Sequence, residues 1–267
     1  MEKGMIVVRG GGDIATGIVQ KYHRAGFPVL VLEVEHPLAV RRGVSLCEAV
    51  RLGSYTVEDI TARLVRNAFE AKACIKAKEV PMVIDPLGAW IDKLKPACVV
   101  DAIMNKRNVG THRAMAPVVI GVGPGFTASD DVHVVIETKR GHDLGRMILN
   151  GSALPNTGIP GTVCGRTAER VVYAPTMGKA CHERHIGDKV CLGETILYVE
   201  GIPCKAPFSG LLRGLIADGA MVRCGMKIAD VDPRMDINWR SISDKARCVG
   251  GATLEAFLYC YHGGTLS

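Results

Sequence analysis

A chain of 267 residues is long enough for one large domain or two smaller ones, each with its own core. Its 48% apolar content, 31 glycines and only 5% aromatic residues suit an α/β protein rich in tight turns and exclude a disordered or fibrous chain. The 33 Lys and Arg against 27 Asp and Glu leave +6, but the basic residues are scattered and few aromatics stand beside them, which argues against nucleic-acid binding and for small anionic ligands.

Ten cysteines show no paired framework, no basic and apolar leader opens the chain, and no apolar run approaches the ~20 residues that span a bilayer. The expectation is a protein of the reducing cytoplasm, away from the membrane.

The opening predicts a βαβ unit. Residues 5–8 read as a strand, followed by Arg9-Gly10-Gly11-Gly12-Asp13-Ile14-Ala15-Thr16-Gly17, a helical pattern through Ile18, Val19 and Tyr22, then Gly26 and the strand Val29-Leu30-Val31-Leu32-Glu33. Gly10, Gly12 and Ala15 keep the G-x-G-x-x-G/A spacing, in which the turn must be tight, backbone approaches a diphosphate, and a small residue lets helix and strand pack. Gly11, Asp13 and Thr16 share this loop and the first helical turn, whose free N–H groups and positive dipole end favour phosphate. Glu33, about 20 residues beyond Gly12, stands where a carboxylate accepts from ribose hydroxyls, while Arg41 and Arg42 offer partners to a 2′-phosphate, so NAD and NADP both remain open. A glycine turn needed only for packing gives the same spacing.

Residues 57–75 carry Ile60, Leu64, Phe69 and Ala73 near helical spacing and predict a helix. Three further apolar runs, residues 81–84 before Asp85, 97–100 before Asp101 and 117–120 before Gly121, complete a parallel sheet covered on both faces. Ligands of such sheets sit beyond the carboxyl ends of the strands, so Gly10, Glu33, Asp85, Asp101 and Gly123 are expected to border one crevice. Asp85 and Asp101 have a plainer alternative, since an acid after a strand also caps the next helix.

Residues 121–146, GVGPGFTASDDVHVVIETKRGHDLGR, are the most informative stretch. A second glycine turn at Gly121, Gly123 and Gly125 precedes Asp130, Asp131, His133, Glu137, Lys139, Arg140, His142, Asp143 and Arg146, a density of ionisable groups that burial would make costly. In a strand over residues 132–137 the period of two puts His133 and Glu137 on one face. His133, Glu137, Arg140 and His142 are therefore the candidates for proton transfer or for gripping a polar ring, with a satisfied structural His–Glu pair as the alternative.

The second half carries an internal repeat. Ala174-Pro175, Gly178, Gly187, Val190, Gly193 and Ile196 recur 32 positions on as Ala206-Pro207, Gly210, Gly219, Val222, Gly225 and Ile228. Two four-stranded halves related by a pseudo-twofold axis resemble the flattened hammerhead of biotinyl and lipoyl domains. Those carriers present a lysine at the tip of the hairpin joining the halves; here the hairpin reads Glu200-Gly201-Ile202-Pro203-Cys204, with Lys205 just before Ala206-Pro207. The module is expected to be unmodified and to dock or cover the other domain. Cys181, His182, His185 and Cys191 are not expected to hold a metal, because adjacent Cys181 and His182 cannot easily point at one ion. The tail, residues 243–261, predicts a helix with Ser243 as N-cap and an apolar stripe of Val249, Leu254, Phe257 and Leu258. Gly250-Gly251 costs about 1 kcal/mol per glycine in a helix and points to a turn or a close backbone approach. The expected division is a Rossmann-like domain over residues 1–165, a hammerhead domain over 166–234 and a C-terminal helical segment over 235–267.

Together these stretches resemble a known family, the accessory proteins of selenium-dependent molybdenum hydroxylase systems, distant relatives of the xanthine dehydrogenase accessory proteins of the XdhC and CoxI type. The likeness runs from about residue 5 to 258 and is carried by residues 6–17, residues 121–146, Pro155-Asn156-Thr157-Gly158-Ile159-Pro160-Gly161, and Ser243-Asp244-Lys245-Ala246-Arg247 with the following Gly250-Gly251. Gly251-Ala252 departs from it, since relatives tend to carry a third glycine there. The resemblance implies a cytoplasmic maturation factor acting on hydroxylases whose active site holds a labile selenium, with molybdopterin cofactor handling and installation of the terminal chalcogen as the associated chemistry. The leading expectation is thus a maturation protein that binds a phosphate-bearing ligand, molybdopterin-type cofactor or NAD(P), and meets molybdenum hydroxylase subunits. An NAD(P)-dependent oxidoreductase and a non-catalytic chaperone of an apo-hydroxylase are the alternatives, and a homo-oligomer is compatible with each.

Overall fold

The computed structural model describes residues 4–156, 165 and 168–264. Strand β1 (Ile6–Arg9) is wholly buried, as its β-branched residues favour, and it stops at Gly10, whose φ of +93° an L side chain rarely adopts. Helix α1 (Asp13–Arg24) buries Ile14, Ala15, Ile18, Val19 and Tyr22, and its last turn holds Lys21 and Arg24, the charges that suit a helix C-terminus. Strand β2 (Val29–Glu33) follows.

The chain continues through α2 (Glu48–Leu52), β3 (Ser54–Val57), β4 (Ile60–Leu64), α3 (Ala68–Lys76), β5 (Val80–Ile84), α4 (Ala89–Leu94), β6 (Cys98–Asp101), β7 (Val118–Val122), β8 (Thr127–Ala128), β9 (Val134–Ile136), β10 (Met147–Ile148) and β11 (Gly151–Ser152). Nine strands form one sheet in the order β10-β9-β7-β6-β1-β2-β5-β4-β3. The seven from β9 to β4 run parallel, and β10 and β3 are antiparallel edges. Strands β8 and β11 pair separately.

Val7, Leu30, Val99, Val119 and Val135 share one face with Cys74 of α3 and Ile91 of α4. Strand alternation turns Ile6, Val8 and their neighbours the other way, where α1 and α5 (Asp244–Tyr261) lie against the strands. Ser243 caps α5, its Oγ accepting from Ala246 N at 3.2 Å. Tyr22 donates its hydroxyl to Thr253 O at 2.7 Å, and its ring meets Phe27 and Phe257 edge-on. Gly250 and Gly251 lie within the unbroken helix.

The helix expected over residues 57–75 is corrected. Its first part is the β3–β4 hairpin, turned at Glu58 and Asp59 with Val57 opposite Ile60, and only Ala68–Lys76 is helical. Glu58 takes a φ of +52° and its carboxylate is gripped by Gln20 Nε2 at 2.8 Å and Ile242 N at 2.9 Å, so tertiary contacts fix a turn where the apolar spacing alone suggested a helix.

The chain divides into two compact units. The first takes the described part of Met1–Pro37, Ser45–Asn156 and Ile242–Ser267, so α5 belongs to it; the second takes Leu38–Val44 and the described part of Thr157–Ser241. The boundary expected after residue 165 touches residues outside the described ones, as does the matching stretch at residues 157–161. In the second unit, β12 (Val171–Tyr173), β13 (Gly178–His182), β14 (Lys189–Val190), β15 (Thr195–Val199), β16 (Ile202–Lys205), β17 (Gly210–Leu215), β18 (Met221–Val222) and β19 (Lys227–Asp232) form two antiparallel sheets, β12-β19-β17-β14 and β16-β15-β13-β18. The 32-position shift that carries Ala174 to Ala206 carries β12–β15 onto β16–β19 and exchanges one sheet for the other. Val190 and Val222, Ile196 and Ile228, and Ala174 and Ala206 are buried together in one core. Asp230 accepts from Arg170 Nη1 and Arg213 Nη2, both at 2.9 Å, which balances charge in a buried position. Among the described residues no helix is long and apolar enough to cross a membrane.

Candidate functional site

From β1 the chain moves to β2 on one side, while β6 pairs on the other, so the connections diverge between β1 and β6. Open α/β sheets bind ligands in the crevice at such a point. A Cβ on Gly10 would stand 3.0 Å from Ala102 O and 3.1 Å from Ile103 Cα, so the loops leaving β1 and β6 abut with no room for a side chain.

Around the first glycine turn most groups are satisfied internally. Gly10 N donates to Leu32 O at 2.8 Å, and Gly11 N donates to Glu33 Oε1 at 2.7 Å. Cys47 N donates to Gly11 O at 2.9 Å, and the buried Thr16 hydroxyl donates to Gly12 O at 2.9 Å while accepting from Leu46 N at 3.0 Å. The side chains of Ala15 and Thr16 thus pack to hold the turn, and buried Cys47 has its thiol pushed well up by burial. Gly12 differs. A Cβ there would meet nothing within 4 Å, and it is the N-cap of α1, whose first-turn N–H groups have no partner within the helix. Asp13, half-buried, follows it. Glu33 bonds to this turn, and burial pushes its carboxyl above the ordinary range, against the pull of the Val34 and Gly11 N–H donors.

Where β1 and β6 end lies a buried trio, of which sequence reasoning named Asp101 and missed Arg9 and Thr111. Arg9 Nη1 donates to Thr111 Oγ1 and lies 3.6 Å from Asp101 Oδ2, and Thr111 donates to Asp101 Oδ2 at 2.5 Å. Burial raises the Asp101 carboxyl and outweighs Thr111, Ile103 N–H and Arg9, which pull it down. Asp85 accepts from Gly88 N at 2.9 Å and Trp90 N at 2.8 Å, the capping alternative for α4. Both acids are engaged within the protein.

The second glycine turn is packed rather than open. A Cβ on Gly121 would fall 2.5 Å from the Phe126 ring, one on Gly123 (φ +81°) 2.8 Å from Thr138 Oγ1, and one on Gly125 (φ +110°) 2.7 Å from Arg107 N. These glycines let loops interlock beside β7.

The quartet His133, Glu137, Arg140 and His142 is not brought together. Strand β9 begins at Val134, and His133 lies at its amino end, exchanging bonds with Val119: His133 N donates to Val119 O and Val119 N donates to His133 Nδ1, both at 2.9 Å. Glu137 follows the carboxyl end, four residues and about 13 Å away. Its buried carboxylate accepts from Thr138 N, Lys139 N and Leu154 N, each at 2.7 Å, so it organises its loop instead of serving as a free base. It also lines a cleft of about 470 Å³ with Asp143, Arg146, Met147 and Leu154. Arg140 makes a two-pronged pair with Asp244 at 2.6 and 2.8 Å, and His142 is exposed. Sequence reasoning also passed over Lys245 as a site residue, although it lies in one of the family-like stretches; it is half-buried and faces the charges of Asp13, Arg140 and Glu137.

Arg41 and Arg42 fall in the second unit, where Arg42 Nε donates to Leu215 O at 2.7 Å. Among the described residues no three or more His, Cys, Asp or Glu gather to hold a metal.

No protein-family model matches the chain. The Escherichia coli (strain K12) protein described as uncharacterized protein YqeB is 46% identical over 261 residues, 97% of this chain and 48% of YqeB, so the chain spans about half the length of the curated relative it matches. Among solved structures, the succinylglutamate desuccinylase/aspartoacylase of Rhodobacter sphaeroides is 13% identical, with 88% of this chain and 86% of that one covered at a TM-score of 0.29. The product-bound ectoine utilization protein EutE (DoeB) of Ruegeria pomeroyi is 11% identical, with 79% and 61% covered at 0.25. Likenesses of that size carry no argument about function.

Proposed function

We propose that the chain is an accessory protein in the maturation of selenium-dependent molybdenum hydroxylases, binding a phosphate-bearing ligand, a molybdopterin-type cofactor or NAD(P), in a Rossmann-like crevice. The observation that carries the reading is Gly12, open to space at the start of α1 beside the β1/β6 divergence, with Glu33 bonded to the same turn. Strands β5-β2-β1-β6-β7-β9 follow the 3-2-1-4-5-6 order of dinucleotide-binding sheets, which supports it further.

The residues present fit such a ligand. Phosphate oxygens accept from the first-turn N–H groups of α1, and Glu33 accepts from a ribose hydroxyl or a pterin N–H. When bound, a nicotinamide would supply hydride and a molybdopterin a metal-holding dithiolene. With Arg9, Asp85, Asp101 and Glu137 all engaged internally, the chain's own part is to bind and orient rather than to move protons. Hydroxylase subunits are the partners, and the cytoplasm is the compartment.

The second unit, in this reading, is a hammerhead domain of the biotinyl and lipoyl type that carries no prosthetic group. The exchange of its two sheets under the 32-position shift supports this, and Glu200 and Gly201 form the turn where carriers hold a lysine. Intact mass is expected to match the bare sequence, and a biotin or lipoyl increment overturns this part.

Native anaerobic purification with mass spectrometry of the co-purified small molecule tests the whole. A pterin or nicotinamide nucleotide is expected. An empty protein that binds neither NAD⁺ nor inorganic pyrophosphate sinks the reading.

A further inference from the structure

Lys245 is the second residue of α5, and its two neighbours fix where it stands. Asp244 is clasped by Arg140 at 2.6 and 2.8 Å, and Ala246 lies against Gly17, whose added Cβ would fall 2.4 Å from Ala246 O. Lys245 is therefore held between the loop after β9 and the start of α1, four residues ahead of Gly17.

This is a poor place for an ammonium in isolation. A cation in the first turn of a helix opposes the helix dipole, and partial burial adds a desolvation cost. Burial holds the Lys245 amine below the ordinary lysine range, although Asp13, Glu137 and Asp244 pull it up; Arg140 acts with burial. Among the described residues Lys245 nonetheless has no hydrogen bond and no ion pair. Glu137 is occupied by three backbone amides, and Arg140 and Asp244 satisfy each other.

We infer that Lys245 is a ligand-binding residue of the crevice, its ammonium meeting a phosphoryl oxygen of the anion held at the first turn of α1. The inference rests on the phosphate-binding reading of Gly12. A charge-assisted bond to phosphate offsets the burial that the bare amine suffers.

Calorimetric titration of the full chain with inorganic pyrophosphate and with NAD⁺ tests it, using wild type, Lys245→Met, Lys245→Arg and Gly12→Val. Lys245→Met is expected to bind about tenfold more weakly or worse, and Lys245→Arg within about threefold of wild type. Near pH ~10, binding should take up a proton in wild type and not in Lys245→Met, a linkage that a purely structural lysine would not produce. Equal affinity of wild type and Lys245→Met, with Gly12→Val impaired, overturns the inference and leaves the glycine-turn reading standing. Equal loss in Lys245→Met and Lys245→Arg also overturns it, and failure of the wild type to bind removes both.

Discussion

Gly17 and Gly250 meet backbone to backbone. A Cβ on Gly17 would lie 2.4 Å from Ala246 O, and one on Gly250 2.4 Å from Gly17 O, so α1 and α5 cross where neither helix can carry a side chain. The crossing anchors Ser243, Asp244 and Lys245 beside the start of α1.

Gly250→Ala is expected to destabilise the first unit by about 2 kcal/mol, because overpacking against fixed backbone exceeds the ~1 kcal/mol that alanine gains in helix propensity. Its neighbour gives the opposite result. A Cβ on Gly251 meets nothing within 4 Å, so Gly251→Ala should stabilise by about 0.5–1 kcal/mol. Urea unfolding of the two variants side by side checks the pair, and equal effects would contradict the crossing.

Glu137→Gln separates an organising carboxylate from a catalytic one. The substitution keeps shape but replaces one acceptor oxygen with an NH₂ that faces backbone donors at 2.7 Å. A loss of about 2–3 kcal/mol in stability is expected, with easier proteolysis between residues 138 and 154. A variant of undiminished stability would show that the carboxylate is not needed to hold this loop.

Much of this was legible in the sequence, for identifiable reasons. Gly10 announces a turn because its left-handed φ and the close approach of Ala102 need glycine, a demand that Gly12 does not share, and Glu33 ends a strand whose apolar run fixes its position. The repeat in the second unit is legible because each half returns the same residues at one spacing. Strand period gives a face and not an edge, which is why His133 and Glu137 share a face in the sequence yet stand at opposite ends of β9. The Arg9–Thr111–Asp101 trio joins segments with no common period, and Lys245 reads locally as an ordinary polar residue near a helix start. In residues 57–75, Ile60 and Leu64 fit helical spacing, and only the contacts of Glu58 with Gln20 and Ile242 decide for a turn.

His133 should govern part of the acid limb of stability without touching ligand binding. Burial first, and Arg113 next, hold its imidazole below the ordinary value, so the unfolded chain takes up the proton before the folded one. Its contribution is complete above about pH 6.5 and is lost as pH falls through that value toward the lower folded one. Protonation also removes the acceptor that Val119 N uses at 2.9 Å. His133→Gln, which can accept the same bond and does not titrate, should flatten the stability difference between about pH 7 and pH 5. His182 is also depressed by burial but is common to both proteins, so the difference curve isolates His133. Pyrophosphate affinity should stay within about twofold; a larger loss would put the residue in the site after all.

The pseudo-symmetry of the second unit predicts matched effects at matched positions, and a mismatch where one other side chain intrudes. Gly193 (φ +78°) and Gly225 (φ +73°) are related by the 32-position shift, and a Cβ at either meets nothing within 4 Å. Alanine at each should cost only the left-handed strain, about 1–2 kcal/mol, and by the same amount. Gly187 (φ +102°) and Gly219 (φ +77°) are also mates, but a Cβ on Gly187 would run into the Trp239 indole at 2.8 Å, while one on Gly219 finds only Lys179 Cε at 3.5 Å. Gly187→Ala should therefore be the more damaging by about 1 kcal/mol or more, and trimming the indole in a Trp239→Leu background should shrink that gap. Urea unfolding of the five single variants, Trp239→Leu included, and of the Gly187→Ala, Trp239→Leu double variant measures it. A gap that persists without the indole would mean that the halves differ in backbone and not merely in what packs against them.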